Sequence, residues 1–144
     1  MIAIGSDHGG YALKGEIIRY LEKKGITVRD FGCYSPDAVD YPDVAVAVCG
    51  EITEERCEKG ILICGTGIGI SIAANKVNGI RAALCHSSFD GRMCRMHNNA
   101  NVLCLGGRTT GTAIALDIVD AFVSTEFEGG RHETRVGKIM SIED

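Results

Sequence analysis

A chain of 144 residues, 45% of them hydrophobic and 24% charged, can build one folded core and is too apolar to be disordered. Its formal net charge of −4 offers no positive field for nucleic acid or an anionic membrane, so we expect neither partner. No apolar run approaches the roughly eighteen residues of a membrane span, and no export signal precedes the first strand, so we expect a cytoplasmic protein forming a single domain over residues 1–144.

The chain contains seven cysteines, an odd number, scattered through segments with strand and helix patterns. In a chain without an export signal such thiols stay reduced and mostly pack as small apolar residues. We therefore expect no disulfides among Cys33, Cys49, Cys57, Cys64, Cys85, Cys94 and Cys104.

Apolar runs alternate with helical patterns in the first half of the chain. Residues 1–6 predict a buried strand, and residues 11–24 predict a helix with Leu13, Ile17 and Leu21 on one face. Residues 26–31 predict a second strand. Because proline suits a first helical turn, Pro42 is expected to open a helix that ends near residue 55.

The second half continues the alternation. Strands are predicted over 60–64, 80–85 and 101–105. A short helix through about residue 76 is predicted to follow the glycine run at 65–69, and further helices are predicted over about 89–96, from Thr109 or Thr110 to about 124, and over about 131–142. Strands separated by helices favour a parallel sheet with right-handed crossovers and helices on both faces. We therefore predict a three-layer α/β fold with five parallel strands in the order 2-1-3-4-5 and a C-terminal helix.

This strand order reverses direction between strands 1 and 3. Open α/β sheets bind ligands at the carboxyl edge of such a switch point. The loops at this crevice cover residues 7–10 and 65–69 and contain the most unusual residues of the chain. We therefore expect the functional site at this edge of the sheet.

The turn after strand 3 reads Cys64-Gly65-Thr66-Gly67-Ile68-Gly69. Its glycines let backbone N–H groups approach an anion closely, in front of a helix N-terminus. No Gly-Lys-Ser/Thr follows, as a P-loop requires, and the GxGxG spacing does not fit a dinucleotide fingerprint, so no nucleotide cofactor is expected. A thiol beside such N–H groups can serve as nucleophile or base, which makes Cys64 the candidate for chemistry.

Asp7 and His8 follow strand 1 at the same edge. Facing Cys64, His8 could bind a phosphate or hydroxyl group, and Asp7 could orient His8 or bind sugar hydroxyls. A local cap or a surface pair is the simpler interpretation of Asp7 and His8 taken alone.

Three arginines are candidates for an anionic group. Arg131 and Arg135 lie four residues apart on the predicted C-terminal helix and point the same way, which suits forked hydrogen bonds to a phosphate dianion. Taken alone, this pair would more simply be a solvated basic face. Arg108 follows Gly106-Gly107 at the carboxyl edge of strand 5.

His97 and Asn98 precede strand 5, so we expect them at the amino edge of the sheet, opposite Cys64. Strand 5 spans roughly 16 Å at about 3.3 Å per residue, which is too far for a site shared within one subunit. If His97 is catalytic, it should enter the site of a neighbouring subunit, and a two-fold dimer would then contain two composite sites.

A metal site is a rival use for Cys85, His86, Cys94 and His97, which occur within thirteen residues. Their spacing matches no common zinc pattern, and strand and helix geometry would scatter them. We therefore expect no metal.

Six blocks of the sequence, taken in order, resemble the ribose-5-phosphate isomerase B family, which includes isomerases of galactose and allose 6-phosphates. The blocks are GSDHGG at 5–10, DYPD at 40–43, GILICGTGIGISIAANK at 60–76, GIRAALC at 79–85, HNNANVLCLGGR at 97–108 and EGGRHETRV at 128–136. The resemblance covers essentially the whole chain. It implies a five-stranded Rossmann-like fold and a working unit of at least a dimer with shared sites.

The resemblance also implies roles for the matching residues. Cys64 would abstract the C2 proton, and His97 would be the acid that helps open the furanose ring. The groups that would bind the sugar phosphate are Asp7, His8, Gly65, Thr66, Gly67, Ile68, Gly69, Asn98, Arg108, Arg131 and Arg135. The arginines would bind the phosphate, and the loop amides would hold the developing enediolate.

The resemblance leads to one expected function and two alternatives. We expect an isomerase of ribose 5-phosphate and ribulose 5-phosphate that uses no cofactor and works as a homodimer, or as a tetramer, with shared active sites. An isomerase of a six-carbon aldose 6-phosphate, such as allose or galactose 6-phosphate, is the first alternative. A non-catalytic sugar-phosphate sensor is the second, although the presence of both Cys64 and His97 argues against it.

Overall fold

The computed structural model describes all 144 residues and alternates strands with helices, as the sequence predicts. The strands are β1 (Ile2–Ser6), β2 (Val28–Asp30), β3 (Lys59–Cys64), β4 (Ala82–Leu84) and β5 (Val102–Gly106). The helices are α1 (Tyr11–Lys23), α2 (Tyr41–Thr53), α3 (Ile68–Asn75), α4 (Ser88–Met96), α5 (Thr112–Ser124) and α6 (Arg131–Met140). A single 3-10 turn over His8–Gly10 leads into α1. None of the helices is both long enough and apolar enough to cross a membrane.

The five strands form one parallel sheet in the order β2-β1-β3-β5-β4. The predicted parallel sheet and the central β1–β3 pair are confirmed, but the predicted order of the last two strands is wrong. The longer apolar strand, β5, takes the inner position, where all of its residues are buried, and the short β4 forms the edge, where its three residues are only half-buried. The switch point between β1 and β3 is unchanged.

The side chains of the central strands alternate between two separate cores. In β3, Ile61 and Ile63 pack among residues of α1, α4 and α5, whereas Leu62 and Cys64 pack among residues of α2 and α3. This alternation is the period of two that a strand imposes on its side chains. The result is a three-layer molecule in which Cys64 belongs to the α2–α3 side of the sheet.

The start of α5 differs from the prediction that Thr109 or Thr110 caps it. Both residues instead close the turn after β5, where the Thr110 N–H donates to the Gly106 carbonyl at 3.0 Å and the Thr109 hydroxyl lies 3.4 Å from the same oxygen. Helix α5 begins two residues later, at Thr112, with Gly111 as its N-cap.

Helix α6 presents two pairs of side chains in different directions. Arg131 and Arg135 are exposed, while His132 and Val136 are buried. Because residues four apart share a helix face, the arginines form an outward pair and the histidine faces the body of the protein with a core valine.

Candidate active site

Three glycine turns meet at the carboxyl edge of the sheet, where the sequence predicts the site. A Cβ atom on Gly9 would lie 2.9 Å from the Gly65 nitrogen, and a Cβ atom on Gly107 would collide with the Gly9 carbonyl oxygen. No other residue type allows the loops after β1, β3 and β5 to approach so closely. The glycines therefore bring together what we call the Cys64 cluster: Asp7, His8, Cys64, Gly65, Thr66, Gly67, Ile68, Gly69 and Arg108.

Cys64 ends β3 and is 5% exposed. The N–H of Gly67 donates a hydrogen bond to its Sγ atom at 3.1 Å. Gly67 adopts a left-handed conformation with φ of 78°, which turns its amide back toward the thiol just before α3 begins. The Cys64 sulfur therefore accepts a backbone N–H at the N-terminus of α3.

The other buried thiols of this side are in a different setting. Burial raises the pKa of the Cys49 thiol to about 12 and the pKa of the Cys104 thiol well above its ordinary value. These two cysteines therefore stay protonated at neutral pH and serve as packing residues. Among the thiols of the α2–α3 core, Cys64 is the one held at the turn of the candidate site.

Arg108 joins the Cys64 cluster through its backbone and its side chain. Its N–H donates to the Gly65 carbonyl at 2.9 Å, and the N–H of Gly107 donates to the Cys64 carbonyl at 2.8 Å. The guanidinium lies against Gly65, where an added Cβ atom would be 3.2 Å from it. A positive charge thus lies beside the glycine turn, as expected from the position of Arg108 after β5.

Asp7 and His8 both follow β1 at the predicted edge of the sheet, and each has a local hydrogen bond. The Asp7 carboxylate accepts from the Gly9 N–H at 2.8 Å and so caps the short 3-10 turn. His8 Nδ1 accepts from the Val39 N–H at 3.3 Å. In a neutral ring this leaves Nε2 as the protonated nitrogen, so His8 can offer one N–H to a ligand.

Tyr41, whose role the sequence leaves open, lies over the glycine turn. A Cβ atom on Gly69 would be 2.6 Å from Tyr41 Cζ and 2.7 Å from its hydroxyl oxygen. The ring is 37% exposed, so it forms a rim of the site and is not a core residue.

The structure places His97 and Asn98 away from Cys64. Cys64 pairs in register with Gly106, the last residue of β5, while His97 ends α4 before β5 begins at Val102. Cys64 and His97 therefore lie toward opposite edges of the sheet, as the sequence predicts. Asn98 lines a cavity of about 610 Å³ between β4 and the C-terminal residues.

His97 lies in a second group of polar residues, which we call the His97 cluster: His97, Asn98, Arg131, His132 and Arg135. The rings of His97 and His132 are stacked, with centroids 4.2 Å apart and planes inclined by 12°. Burial, the neighbouring His97 and the two arginines lower the pKa of His132, which Glu128 only partly opposes. His132 is the member of this cluster that sequence reasoning missed.

The proposed zinc ligands of the rival interpretation do not converge. Cys85 and Cys94 are buried neighbours within the core, and the hydrogen bond with Cys94, together with burial, raises the pKa of Cys85. His86, in contrast, is exposed. His97 instead has potential ligand atoms of Glu128 and His132 within 4.8 Å. The near-parallel rings of the two histidines direct their nitrogens along separate planes, so these atoms do not point at one ion as they stand.

The sequence matches known proteins over nearly its whole length. The family described as Ribose/Galactose Isomerase matches residues 2–139, which include every residue of both clusters. Ribose-5-phosphate isomerase B of Escherichia coli is 46% identical over 142 residues, 99% of this chain and 95% of that protein. A relative from Rickettsia conorii is 51% identical over 138 residues, 96% of each chain, and has only a provisional name as a sugar phosphate isomerase.

A third relative has a four-carbon sugar in its name. It is the D-erythrulose-4-phosphate isomerase of Pectobacterium atrosepticum, 46% identical over 140 residues, which are 96% of this chain and 91% of that protein.

Two solved structures superpose closely on the chain. Ribose-5-phosphate isomerase B of Clostridium thermocellum gives a TM-score of 0.97 at 57% identity and covers 98% of this chain and 95% of that one. The enzyme of the same name from Mycoplasma genitalium, solved with bound ribulose-5-phosphate, gives 0.94 at 45% identity, with coverage of 98% and 94%.

Proposed function

Because the chain belongs to the ribose/galactose isomerase family, and is on that ground an aldose–ketose isomerase of sugar phosphates, we propose that its substrate pair is ribose 5-phosphate and ribulose 5-phosphate. The observation that carries the chemical part of the proposal is the Cys64 thiol, held by the Gly67 amide under a glycine turn. The similar enzyme solved with ribulose-5-phosphate supports the choice of sugar.

Cys64 is the base in this proposal. Starting from the open-chain aldose, the thiolate takes the C2 proton, the electron pair forms a C1–C2 double bond, and the C1 carbonyl oxygen becomes an oxyanion. Return of the proton from the Cys64 thiol to C1 and transfer of the C2 hydroxyl proton to the O1 oxyanion then give the ketose, with a carbonyl at C2 and a hydroxyl at C1. In this proposal, N–H groups of the turn over residues 65–69 other than that of Gly67, which bonds Cys64, hold the oxyanion at the start of α3. No net oxidation occurs, so this chemistry requires no redox cofactor.

The His97 cluster supplies what the Cys64 cluster lacks. Ribose 5-phosphate is mostly a closed furanose, so a proton must reach the ring oxygen before C2 can react, and His97 is the proposed acid. Asn98 is the proposed ligand of a sugar hydroxyl. Arg131 and Arg135 would bind the phosphate, whose remote binding energy positions the reacting carbons.

The two clusters complete each other only if a second copy of the chain is present. Within one chain, Cys64 and His97 lie toward opposite edges of the sheet. We therefore place the His97 cluster of one copy against the Cys64 cluster of another, in a homodimer with two composite sites.

Exposed apolar side chains beside the glycine turn support this arrangement. Ile68 and Ile72 of α3 are 52% and 59% exposed, and Val46 of α2 is 59% exposed. Apolar side chains clustered at the rim of a site are typical of a surface that a partner covers.

A four-carbon substrate is the second candidate, because a relative 46% identical is named as a D-erythrulose-4-phosphate isomerase. The six-carbon aldose 6-phosphates remain a third possibility on the family description alone. The three differ in the number of carbons between the reacting end and the phosphate, so the distance between Cys64 and the arginines across the composite site should select among them.

The experiment that tests the proposed function is a substrate panel with metal-stripped protein. Ribose 5-phosphate, D-erythrose 4-phosphate, allose 6-phosphate and galactose 6-phosphate are each assayed for conversion to the ketose, with Cys64→Ala as the matched control. The proposal expects the highest kcat/KM on ribose 5-phosphate and loss of that activity in the variant. A higher kcat/KM on another sugar would make that sugar the preferred substrate. Turnover by Cys64→Ala equal to that of the wild type would contradict the assignment of Cys64 as the base.

A further inference from the structure

The stacked pair of His97 and His132 joins two elements that are distant in the sequence. His97 ends α4 and His132 lies in the first turn of α6, yet their rings lie face to face at 4.2 Å. The backbone fixes this approach, because the Glu128 N–H donates to the Met96 carbonyl at 3.1 Å and ties the segment before α6 to the end of α4. His132 is 5% exposed, so its ring is held by the surrounding residues, and the half-buried His97 ring stacks on it.

His132 contains a polar atom that nothing in its surroundings uses. Its Nε2 atom is buried and has no hydrogen-bond partner. The nearest carboxylate oxygen, Glu128 Oε1, is 3.9 Å away, which is beyond hydrogen-bond distance. A buried polar atom without a partner destabilises the folded protein, so an apolar ring would stack here at a lower cost. The presence of an imidazole at this position is therefore not explained by packing.

We propose that His132 is a positioning residue for His97, and that the stack is sensitive to acid: the neutral His132 ring holds His97 in place, and a proton on Nε2 releases it. This inference rests on the proposed role of His97 in opening the sugar ring. A neutral aromatic face favours a cationic ring stacked on it, as His97 must be when it is ready to donate its proton.

Protonation reverses that interaction. A proton taken from solvent by Nε2 makes His132 a cation, which repels a cationic His97 ring and attracts Glu128. The titratable and charged groups that act on His132 are His97, Glu128, Arg131 and Arg135. Burial, His97 and both arginines lower the pKa of His132, against the single opposing carboxylate, so the ring stays neutral at neutral pH and becomes charged only below the ordinary histidine range.

The test compares His132→Ala, which removes the stacking ring, with His132→Phe, which keeps a stacking ring that cannot be protonated. Each is assayed on ribose 5-phosphate, which must be opened, and on D-erythrose 4-phosphate, whose phosphorylated C4 oxygen cannot close a five-membered ring. We expect His132→Ala to lower kcat on ribose 5-phosphate about tenfold with little change in KM, and to spare D-erythrose 4-phosphate. We expect His132→Phe to restore most of kcat at pH 7.5.

The pH profile is the second readout. Dividing the rate on ribose 5-phosphate by the rate on D-erythrose 4-phosphate removes the titration of groups that serve both substrates. This ratio should fall for the wild type as the pH drops from about 7 to 5, and it should fall less for His132→Phe. Ring-current shifts of the His97 proton resonances report the stack without any turnover, and they should follow the same pattern.

Four outcomes would overturn the inference. His132→Phe as damaged as His132→Ala at pH 7.5 would show that a nitrogen is needed, as in a ligand or metal site. A rise in KM instead of a fall in kcat would make His132 a phosphate ligand. A His132→Ala protein with the kcat of the wild type on ribose 5-phosphate would contradict the positioning role. Identical pH profiles of the wild type and His132→Phe would contradict the acid sensitivity. The variant His97→Ala separates the two proposals, since equal loss on both sugars there contradicts ring opening by His97 itself.

Discussion

Cysteine side chains with the same chemistry have different surroundings in this chain. Cys49 and Cys104 are buried thiols whose pKa values are raised by burial, whereas Cys64 accepts the Gly67 N–H at the end of β3. The sequence predicts Cys64 as the functional thiol because it precedes a glycine turn at the carboxyl end of a strand.

Other site residues could be predicted only in part. Asp7, His8 and Arg108 follow strand ends, and parallel strands bring their carboxyl ends to one edge, so sequence order predicts their convergence. His132 is a different case, because a histidine on the core-facing side of a helix has the same pattern whether it packs or functions. Tyr41 lies over Gly69 only because α2 packs against α3, a tertiary contact that local patterns do not contain.

Replacing Cys64 tests the base. Cys64→Ala should lower kcat on ribose 5-phosphate by about a hundredfold to ten-thousandfold, the usual contribution of a positioned general base, while binding of inorganic phosphate stays unchanged. Steady-state kinetics and calorimetric titration with phosphate measure the two effects. Cys57→Ala is the control, since Cys57 is another buried thiol and lies just before β3, away from the turn. A fall in phosphate affinity equal to the fall in kcat would indicate a damaged fold.

Arg135 tests the phosphate site. Arg135→Ala should raise KM for ribose 5-phosphate about tenfold to a hundredfold, because a charge-assisted hydrogen bond contributes about 1.5–3 kcal/mol, and kcat should change much less. Lys138→Ala removes an exposed positive charge from the same helix and is the matched control. An equal rise in KM for both variants would show only a general field effect, and no rise for Arg135→Ala would place the phosphate elsewhere.

At the level of elements, the alternation of strands and helices was predictable and the neighbour relation of the last two strands was not. The apolar runs specify which segments are strands, and the predicted bounds differ from the observed ones by at most two residues for β1, β3 and β5. Chain order alone favours β4 beside β3. In the structure, β5 has the inner position and is completely buried, whereas β4 is at the edge and is half-buried. Which of the two strands becomes the inner one depends on how the whole sheet is covered.

Gly67 tests the turn that joins β3 to α3. Its φ of 78° disfavours any side chain, and a Cβ atom would lie 2.5 Å from Leu84 Cδ1 and 2.8 Å from the Leu105 carbonyl carbon. Gly67→Ala should therefore lower the free energy of unfolding by about 1–3 kcal/mol and also lower kcat, since the amide that holds Cys64 must move.

Gly50→Ala is the control for this substitution. Gly50 lies inside α2 with no atom within 4 Å of an added Cβ, so alanine should raise the free energy of unfolding by about 0.5–1 kcal/mol and leave kcat unchanged. Urea denaturation at one fixed protein concentration measures both variants. A Gly67→Ala protein as stable and active as the wild type would show that the turn does not depend on the left-handed conformation.

At the scale of the whole molecule, the chain has two groups of functional side chains on a single sheet. The Cys64 cluster has the proposed base, backbone donors and Arg108, and the His97 cluster has the proposed acid for ring opening and the proposed phosphate ligands. The order of elements explains the separation, because β5 lies between them and places its two ends at opposite edges. In the proposed dimer, a two-fold axis would bring the Cys64 cluster of each chain to the His97 cluster of the other and so form two composite sites.

Complementation between two inactive variants tests this account most directly. Cys64→Ala and His97→Ala proteins are mixed, dissociated and reassociated, and turnover of ribose 5-phosphate is measured against each variant alone. In a mixed dimer with shared sites, one site pairs the intact Cys64 with the intact His97, so activity should recover to about a quarter of the wild-type value. If mixed dimers form, as tagged copies would demonstrate, and no activity returns, each site is built within a single chain and the composite arrangement is contradicted.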